Sequence, residues 1–542
     1  MESVMVRHRI EDVENDVLLP MLTHEMVLLD LDPFAVKTYN IMQATIAMNA
    51  VDSERIDQDY FFHPRNAVYL QQLIDNISQS MFWQVDTDDI FGVDDIMKRA
   101  PAFLQSGSKK LAEGRITQSD FDLLQEAVKH VESAYKDRIW RCLMTHPFVF
   151  HRVYNMPSQV FQAWSNFPFE LKAPESTNAP NPEPHFLLVP DRLKTLRNML
   201  NMKPFSSFNS MVEWGKAVSE EEHHRLQLMK LRAKASKASI SRKSQEHRKE
   251  MSSATKADTA AQFLAAQDRL KSLMSEDQGN NPRGNAKLLR SSPLAGVRIG
   301  TSTSSKLNYI LNDVRKYAAS EKFLIFSRSP MTLVYIAESL GMIGVQYKLI
   351  WKKSVRQLEQ DVTTFESSDI FRVFLMELKH GARGLNLITA SRVIFCEPVW
   401  QADVETQAIK RVHRIGQTSP VTVKTLAIRS TAEEVMVARR DALKRSLGSG
   451  SGKLPNLTDD RTMRDFIANP TFLPETTTQE APLDFPFLHI PNDESSAEED
   501  HKLYIRIPAS SPAKRPVDAL TVSDTEMPAK KQKTRPTVRF DV

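Results

Sequence analysis

The apolar and polar positions of this 542-residue chain follow two periods, which alternate most regularly after residue 301. Short apolar runs predict buried strands at residues 322–327, 345–350, 373–376, 393–396 and 421–428. Apolar residues spaced three and four apart predict intervening helices at residues 331–340, 354–365 and 431–446, and a helix opened by Ser304 before the first strand. Strands alternating with helices of this length predict an α/β fold, a parallel sheet with helices on both faces.

A weaker pattern of strand and helix signals lies near the N-terminus. A strand-like run covers residues 26–31, after a Leu19-Pro20 turn. Asp32 is a good N-cap for a following helix, with Pro33 at its first position. Residues 63–83 carry a further apolar stripe with helical spacing. We therefore expect a strand and two helices before residue 86.

Residues 86–300 do not follow the α/β pattern, and we expect a largely helical insertion there. Ser119 and Asp122 have the spacing of a capping box, so a helix is predicted to begin at Ser119. The prolines and aromatic residues of the stretch 146–190 predict an irregular chain there. The Gly, Asn, Pro and Ser residues of the stretch 277–300 predict a linker.

Residues 219–276 are long, polar and helix-favouring, with basic side chains that include Lys230, Arg232 and Lys234. A basic helix of this kind can follow a DNA backbone, an electrostatic contact that depends on salt. It can equally be a solvated connector, and both interpretations stay open.

A Gly/Ser-rich hinge at residues 448–452 precedes a tail, residues 448–542, that we expect to be disordered. The basic clusters Lys514-Arg515 and 530–533 predict either a nuclear-import signal or a nucleic-acid contact, so we expect a nuclear protein. An ordinary disordered tail is the alternative.

Composition narrows the class of protein only a little. Hydrophobic residues make up 41% and charged residues 25%, typical of a protein with a packed core. The net charge is only +4, so a nucleic-acid surface has to come from local clustering of charge. Cys142 and Cys396 are predicted to be free thiols in apolar surroundings. No apolar run approaches the roughly 20 residues of a membrane span, and we expect no membrane partner.

Two motifs carry the candidate chemistry. Residues 379–387 read KHGARGLNL, and residues 407–417 read QAIKRVHRIGQ. Arg411 and Arg414 are three positions apart, so on the predicted helix they share one face. Two guanidinium groups on one face suit bidentate contact with phosphate oxygens.

These motifs, with strands between them, resemble motifs V and VI of the second RecA-like lobe of Swi/Snf-type helicase-like ATPases, which are DNA translocases. The residue after Gly416 supports this choice, because DEAD-box RNA helicases usually carry arginine there and this chain has Gln417. The residues before 86 resemble, more faintly, the end of the first lobe.

The resemblance implies a nucleotide, ATP, in a cleft between two lobes. It implies that Arg414 is an arginine finger near the γ-phosphate and that Arg411 supports it. The resemblance also implies a set of residues that bind or lie next to the nucleotide: Gln407, Gly384, Asn386, Gly416 and Gln417. The implied DNA-side residues are Lys379, Ser327 and Thr389, and the expected partner is double-stranded DNA or chromatin.

The sequence also departs from that family. It contains no G-x-x-x-x-G-K-[ST] and no D-E-x-H after a strand. Gln401-Ala402 replaces the usual Asn-Pro after a tryptophan, and Ile388-Thr389-Ala390 replaces Thr-Ala-Ala. The chain alone is therefore expected not to hydrolyse ATP, and ATP with its magnesium ion would be held by a first lobe outside this chain.

Two functions remain open on the sequence. The chain is either the C-terminal part of an ATP-dependent DNA translocase, as a truncated gene model or beside a separate first-lobe polypeptide, or a non-catalytic DNA or chromatin scaffold. The predicted domains are a remnant of the first lobe (1–85), the helical insertion (86–300), the C-terminal RecA-like lobe (301–447) and the tail (448–542).

Overall fold

The computed structural model describes most of the chain between residues 19 and 488. The described residues are 19–57, 59–83, 92–167, 186–204, 206–239, 246–274, 288–350, 355–381, 385–447, 457, 459–475 and 483–488. The predicted hinge at 448–452 and the two basic clusters of the tail lie outside them.

The strands, in chain order, are β1 Leu22–Leu29, β2 His151–Tyr154, β3 Phe186–Leu188, β4 Arg298–Ser302, β5 Lys322–Ser327, β6 Gln346–Ile350, β7 Phe371–Glu377, β8 Ala390–Phe395, β9 Val421–Ile428 and β10 Phe485–Pro486. The helices up to residue 274 are α1 Pro33–Asp52, α2 Ala67–Ser80, α3 Val93–Ala112, α4 Gln118–Lys136, α5 Arg138–Met144, α6 Ser158–Trp164, α7 Pro190–Met202, α8 Phe208–Ser239 and α9 Glu246–Met274. The later helices are α10 Ser305–Tyr317, α11 Pro330–Met342, α12 Val355–Ser367, α13 Ala402–Ile409, α14 Ala432–Leu447 and α15 Arg461–Ala468.

The main sheet has six strands in the order β1-β9-β8-β5-β7-β6, and all its neighbours run parallel. Alternate side chains of the central strands enter two separate apolar cores. Phe323 and Ile325 pack with α10 and α11 on one face, whereas Leu324 and Phe326 pack with α12 and α13 on the other. Both faces are covered, so the predicted α/β lobe with a RecA-like parallel sheet is confirmed.

The first strand corrects the predicted boundary at residue 85. β1 pairs with β9 along its whole length, from Leu22 opposite Val421 to Leu29 opposite Ile428. This strand is therefore an edge of the second lobe's own sheet and not part of a separate first-lobe remnant. Asp32 caps α1 as predicted, accepting a hydrogen bond from the backbone N–H of Phe34 at 3.1 Å.

A second sheet forms where the sequence predicted irregular chain and a linker. It is antiparallel, with four strands in the order β10-β4-β2-β3. β2 and β3 lie within the proline-rich stretch, and β4 begins at Arg298 inside the predicted linker. The predicted disordered tail contributes β10 to this sheet and also contains α15, which packs on α14.

The insertion is largely helical, as predicted, but its capping box lies two residues earlier. Thr117 caps α4: its hydroxyl accepts from the N–H of Asp120, and the Asp120 carboxylate accepts from the N–H of Thr117. α4 packs on α1 and α3, and α8 packs on α9. No helix within the described residues is both long and apolar enough to cross a membrane.

Candidate functional site

The helix that was predicted to carry both motif VI arginines is shorter than expected. α13 ends at Ile409, so Arg411 and Arg414 lie in the turn that follows, and the predicted shared helix face is wrong. The N–H groups of Arg411 and Val412 bond to carbonyls three residues earlier, which tightens the chain out of the helix.

The two arginines have different surroundings within this turn. Arg411 is half-buried, and its Nε donates to the carbonyl of Gly381 at 2.7 Å. Its own carbonyl accepts from the N–H of Leu387 at 3.0 Å. Arg414 is exposed, and its guanidinium makes no hydrogen bond or ion pair with any residue that the structure describes. Arg411 therefore holds motifs V and VI together, while Arg414 is available to a group outside the chain.

Gln417 fixes the end of the same turn. Its side-chain Nε2 donates to the carbonyls of Ile388 and Ala390, each at 2.9 Å. Its Oε1 accepts from the N–H groups of Thr418 at 3.0 Å and Ser419 at 2.9 Å. The side chain is buried, and its amide is occupied by the backbone on both sides. In this structure the side chain positions the turn, and the role next to the nucleotide that the resemblance implied stays a prediction.

Gly416 and His413 complete the support of the turn. Gly416 has a φ of +100°, a left-handed conformation that other residues rarely adopt, and an added Cβ would lie 3.2 Å from Cδ1 of Ile388. The Nε2 of His413 lies 2.8 Å from the carbonyl of Pro20, so the turn is also tied to the residues that lead into β1.

The predicted DNA-side residues fall into two groups. Lys379 and Thr389 are exposed, but each contacts a carboxylate: Lys379 pairs with Glu377, and the Thr389 hydroxyl donates to Glu366 at 2.8 Å. Ser327, in contrast, is only 1% exposed and its hydroxyl points inward, so it does not present a group to DNA here.

The other predicted site residues are less informative. Asn386 and Gln407 are exposed. Gly384 lies outside the described residues, as do the side chains of Lys230, Arg232 and Lys234.

A buried charged network, which sequence reasoning missed, lies beneath the carboxyl ends of β5 and β8. Lys306 pairs with Glu433 at 2.6 Å, and the Glu433 carboxylate also accepts from the N–H of Ile428 at 2.9 Å. Glu397 accepts from the hydroxyl of Ser327 at 3.1 Å and from the N–H of Arg328. Burial raises the pKa of both Glu397 and Glu433. The position of Glu397, soon after a buried strand, was the signal that could have revealed it.

This network opens into a cleft of about 470 Å³ between α2 and the start of α11. Arg328 spans the cleft and pairs with Asp75 at 2.7 Å. The cleft thus joins the helical region to the lobe, on residues that the motif analysis did not select.

The chain's own residues fit only part of a nucleotide site. The exposed guanidinium of Arg414 can donate to a phosphate oxygen in a bidentate manner. The Gly-rich loop that would cradle the phosphates is absent from the sequence. The site can therefore contribute one cationic contact to a triphosphate but does not contain the loop that would bind its phosphates.

Comparisons with known proteins agree with this geometry. Residues 305–416 match the helicase conserved C-terminal domain. The chain is 35% identical over 157 residues to DNA repair protein rad8 of Schizosaccharomyces pombe, a match covering 28% of this chain and 14% of rad8. It is 32% identical over 160 residues to the E3 ubiquitin-protein ligase SHPRH of Mus musculus, covering 29% of this chain and 9% of SHPRH.

The matched stretch is thus a small fraction of each relative's length. Among solved structures, the C-terminal part of the Fun30 ATPase domain aligns with 83% of this chain and 98% of its own, at 13% identity and a TM-score of 0.37. That score is too low for any conclusion about this chain.

Sheet order, the paired motifs and the domain match together define the class: the lobe is a helicase conserved C-terminal domain. The comparisons support the predicted resemblance of this part of the chain to the C-terminal, helicase-like portion of Snf2-family ATPases.

Proposed function

We propose that this chain supplies the second lobe of an ATP-dependent DNA translocase that acts in DNA repair. The observation that carries the proposal is the exposed guanidinium of Arg414, which has no ionic partner among the described residues, on a turn fixed by Arg411 and Gln417. A folded chain gains little from holding an unpaired cation in a fixed turn, whereas phosphoryl transfer depends on such a charge. The relative rad8 is named a DNA repair protein, which supports the repair context.

In this proposal the nucleotide is bound by a first lobe whose phosphate loop is not in this sequence. Bound there with magnesium, ATP would supply the phosphoryl group. Arg414 would donate to the oxygens of that group as negative charge develops on them. Arg411 would act as a positioning residue, because its Nε fixes the motif V turn at Gly381.

DNA would be contacted along the motif V segment, from Lys379 to Thr389. Both of these side chains are exposed, and the contact between Thr389 and Glu366 lies at the surface, where such interactions are weak, whereas the Glu377 partner of Lys379 is buried. A DNA phosphate could therefore replace Glu366 next to Thr389 and approach Lys379 from its exposed side. Because motif V is bonded to the turn that carries Arg414, a change at the nucleotide would reach the DNA contact. Double-stranded DNA, chromatin and a nuclear location belong to this proposal.

A non-catalytic DNA or chromatin scaffold is the second candidate. It is favoured by the sequence itself, which contains no G-x-x-x-x-G-K-[ST] and no D-E-x-H after a strand. The two functions differ in one measurable property. A scaffold binds DNA with the same affinity whether or not a nucleotide is present, whereas a translocase lobe binds with an affinity that depends on the nucleotide.

The proposal is tested by ATP turnover of the native protein, isolated together with the polypeptides that accompany it, in the presence of double-stranded DNA. Arg414→Ala should lower turnover by about 10³-fold or more, the scale of an arginine finger. Lys410→Ala is the matched control, since this exposed cation lies in the same turn and has no assigned role. Equal turnover in both variants would remove Arg414 from catalysis.

A further inference from the structure

Residues 483–488, Leu-Asp-Phe-Pro-Phe-Leu, occupy a surface of the second sheet in the manner of a bound peptide. Leu483, Phe485, Phe487 and Leu488 are all buried, while Asp484 and Pro486 are exposed. The inward and outward side chains alternate, as in an extended strand that lies against a surface.

The backbone of this acidic-aromatic segment adds a short strand to the edge of the sheet. Phe485 pairs with Ile299 and Pro486 with Arg298, antiparallel to β4. The N–H of Phe487 donates to the carbonyl of Val297 at 2.8 Å. Proline, which has no N–H to donate, is tolerated on an edge strand. Addition of a strand to a sheet edge, with pockets for alternate side chains, is a general mode of peptide recognition.

Three arginines from three different elements supply the specificity. The Arg298 guanidinium binds both oxygens of Asp484, at 2.7 and 2.9 Å, and Arg315 donates to the Asp484 carbonyl at 3.2 Å. The Arg315 guanidinium also lies 4.8 Å from the ring centre of Phe485.

The third arginine, Arg197, lies 5.4 Å from the ring centre of Phe487. Each aromatic ring therefore has a cation close to it, and the carboxylate that precedes both rings has a bidentate partner. We refer to Arg197, Arg298, Arg315 and the β4 edge as the arginine groove.

The arginine groove is formed by residues that are distant in sequence from the segment that fills it. Its parts belong to α7, β4 and α10, which are held by their own contacts in the fold. We propose that the arginine groove is a recognition site for extended peptides in which an acidic residue precedes two alternate aromatic residues. Its occupant in this structure is the chain's own acidic-aromatic segment, bound in cis.

Tethering sets how such a site behaves. A segment joined to its groove by a short stretch of chain experiences an effective concentration of about millimolar, so free peptide competes poorly. A partner protein carrying the same pattern would gain access only after the cis segment leaves. The groove is therefore a docking site that the native chain keeps closed to weak competitors.

Binding of a labelled peptide with the sequence of residues 481–490, followed by fluorescence anisotropy, tests the proposal. The full chain with Phe485→Ser and Phe487→Ser should bind this peptide at least about ten-fold more tightly than the native chain does. Asp484→Arg serves as a second, milder variant, because this exposed side chain supports no core packing. It should also increase binding of the native-sequence peptide.

Charge exchange gives the matched control. A peptide carrying Asp484→Arg should bind weakly to the opened chain and should recover affinity when the chain also carries Arg298→Asp. Equal binding by native and opened chains, or no binding by either variant, would overturn the proposal. A native chain that is dimeric and becomes monomeric in the double serine variant would also overturn it, since a second copy would then be the occupant.

Discussion

The two sheets of this protein are assembled from the chain in different ways. The parallel sheet takes β5 to β9 from the continuous stretch 322–428 and adds only β1 from elsewhere. The antiparallel sheet collects β2, β3, β4 and β10 from positions between 151 and 486. The first is built from successive strand-helix units, and the second depends on contacts between residues far apart in sequence.

The two sheets also use charged residues differently. The parallel lobe buries a charged network at its centre and leaves Arg414 exposed on a braced turn. Around the antiparallel sheet, arginines are engaged by a segment of the same chain. The lobe therefore keeps the Arg414 cation unpaired among the described residues, whereas the arginines around the second sheet already have a partner in the same chain.

The largest stability effect is expected at the buried network of the lobe. Lys306→Ala leaves the Glu433 carboxylate buried without its cation, and Glu397 close by without its attraction. We expect a loss of about 3–5 kcal/mol, measured as the free energy of unfolding in urea. A paired change, Lys306→Met with Glu433→Gln, keeps an acceptor for Ile428 and should recover most of that loss. If the single variant is as stable as the paired one, the buried pair does not hold the lobe.

A pH effect is expected from the antiparallel sheet. Burial lowers the pKa of His151, on β2, to about 4, and the adjacent Arg152 contributes in the same direction. The His151 ring therefore becomes protonated near pH 6.5 in the unfolded chain but only near pH 4 in the folded chain. The free energy of unfolding consequently falls as the pH is lowered from about 6.5 to about 4. The loss attributable to His151 is about 2–3 kcal/mol.

The measurement is urea unfolding at pH 7 and pH 4.5 for the native chain and for His151→Gln. The variant lacks the titrating ring, so its stability should fall less over this range. An identical fall in both proteins would show that His151 does not titrate in this way.

A smaller effect is expected at the turn that carries Arg414. Gln417→Ala removes a donor to two carbonyls and an acceptor for two N–H groups, at a cost of about 1–3 kcal/mol. Hydrogen exchange at Thr418 and Ser419 should become faster. Gln407→Ala, an exposed residue of the same type, is the control and should leave both rates unchanged. Unchanged exchange in the Gln417 variant would mean that other contacts hold the turn.

The smallest effect concerns the start of α4. Thr117→Ala removes the capping hydroxyl and should reduce stability by about 1 kcal/mol in thermal or urea unfolding. Ser119→Ala, at the position that the sequence pattern favoured, should have almost no effect. The reverse result would restore the predicted capping box.

These cases show which parts of the fold could be predicted from sequence. β5 was predicted with its observed bounds, and the caps at Asp32 and Ser304 were identified, because these signals are local. The end of α13 was missed because backbone bonds to motif V override the helical spacing. The antiparallel sheet was missed because β4 and β10 are short and pair with partners that no local pattern reveals.

For the candidate site as well, local motifs could be recognised in the sequence, whereas contacts between distant residues could not. The motifs identified Arg411, Arg414 and Gln417 as important, but only tertiary contacts distinguish the exposed cation from the two residues that brace it. Lys306 and Glu433 are buried partners 127 residues apart, and nothing in the sequence joins them.

The proposal that the exposed Arg414 guanidinium acts on the phosphoryl group is tested most directly by chemical rescue. The measurement is ATP turnover on double-stranded DNA by the protein isolated with its accompanying polypeptides, with and without the Arg414→Ala change. Arg414→Ala should have turnover about 10³-fold below normal, and added guanidinium salt should restore part of it, with sodium salt at equal ionic strength restoring none. Lys410→Ala should have normal turnover and gain nothing from guanidinium. Normal turnover in Arg414→Ala, or a loss that guanidinium does not relieve at all, would contradict the claim that this side chain acts on the phosphoryl group.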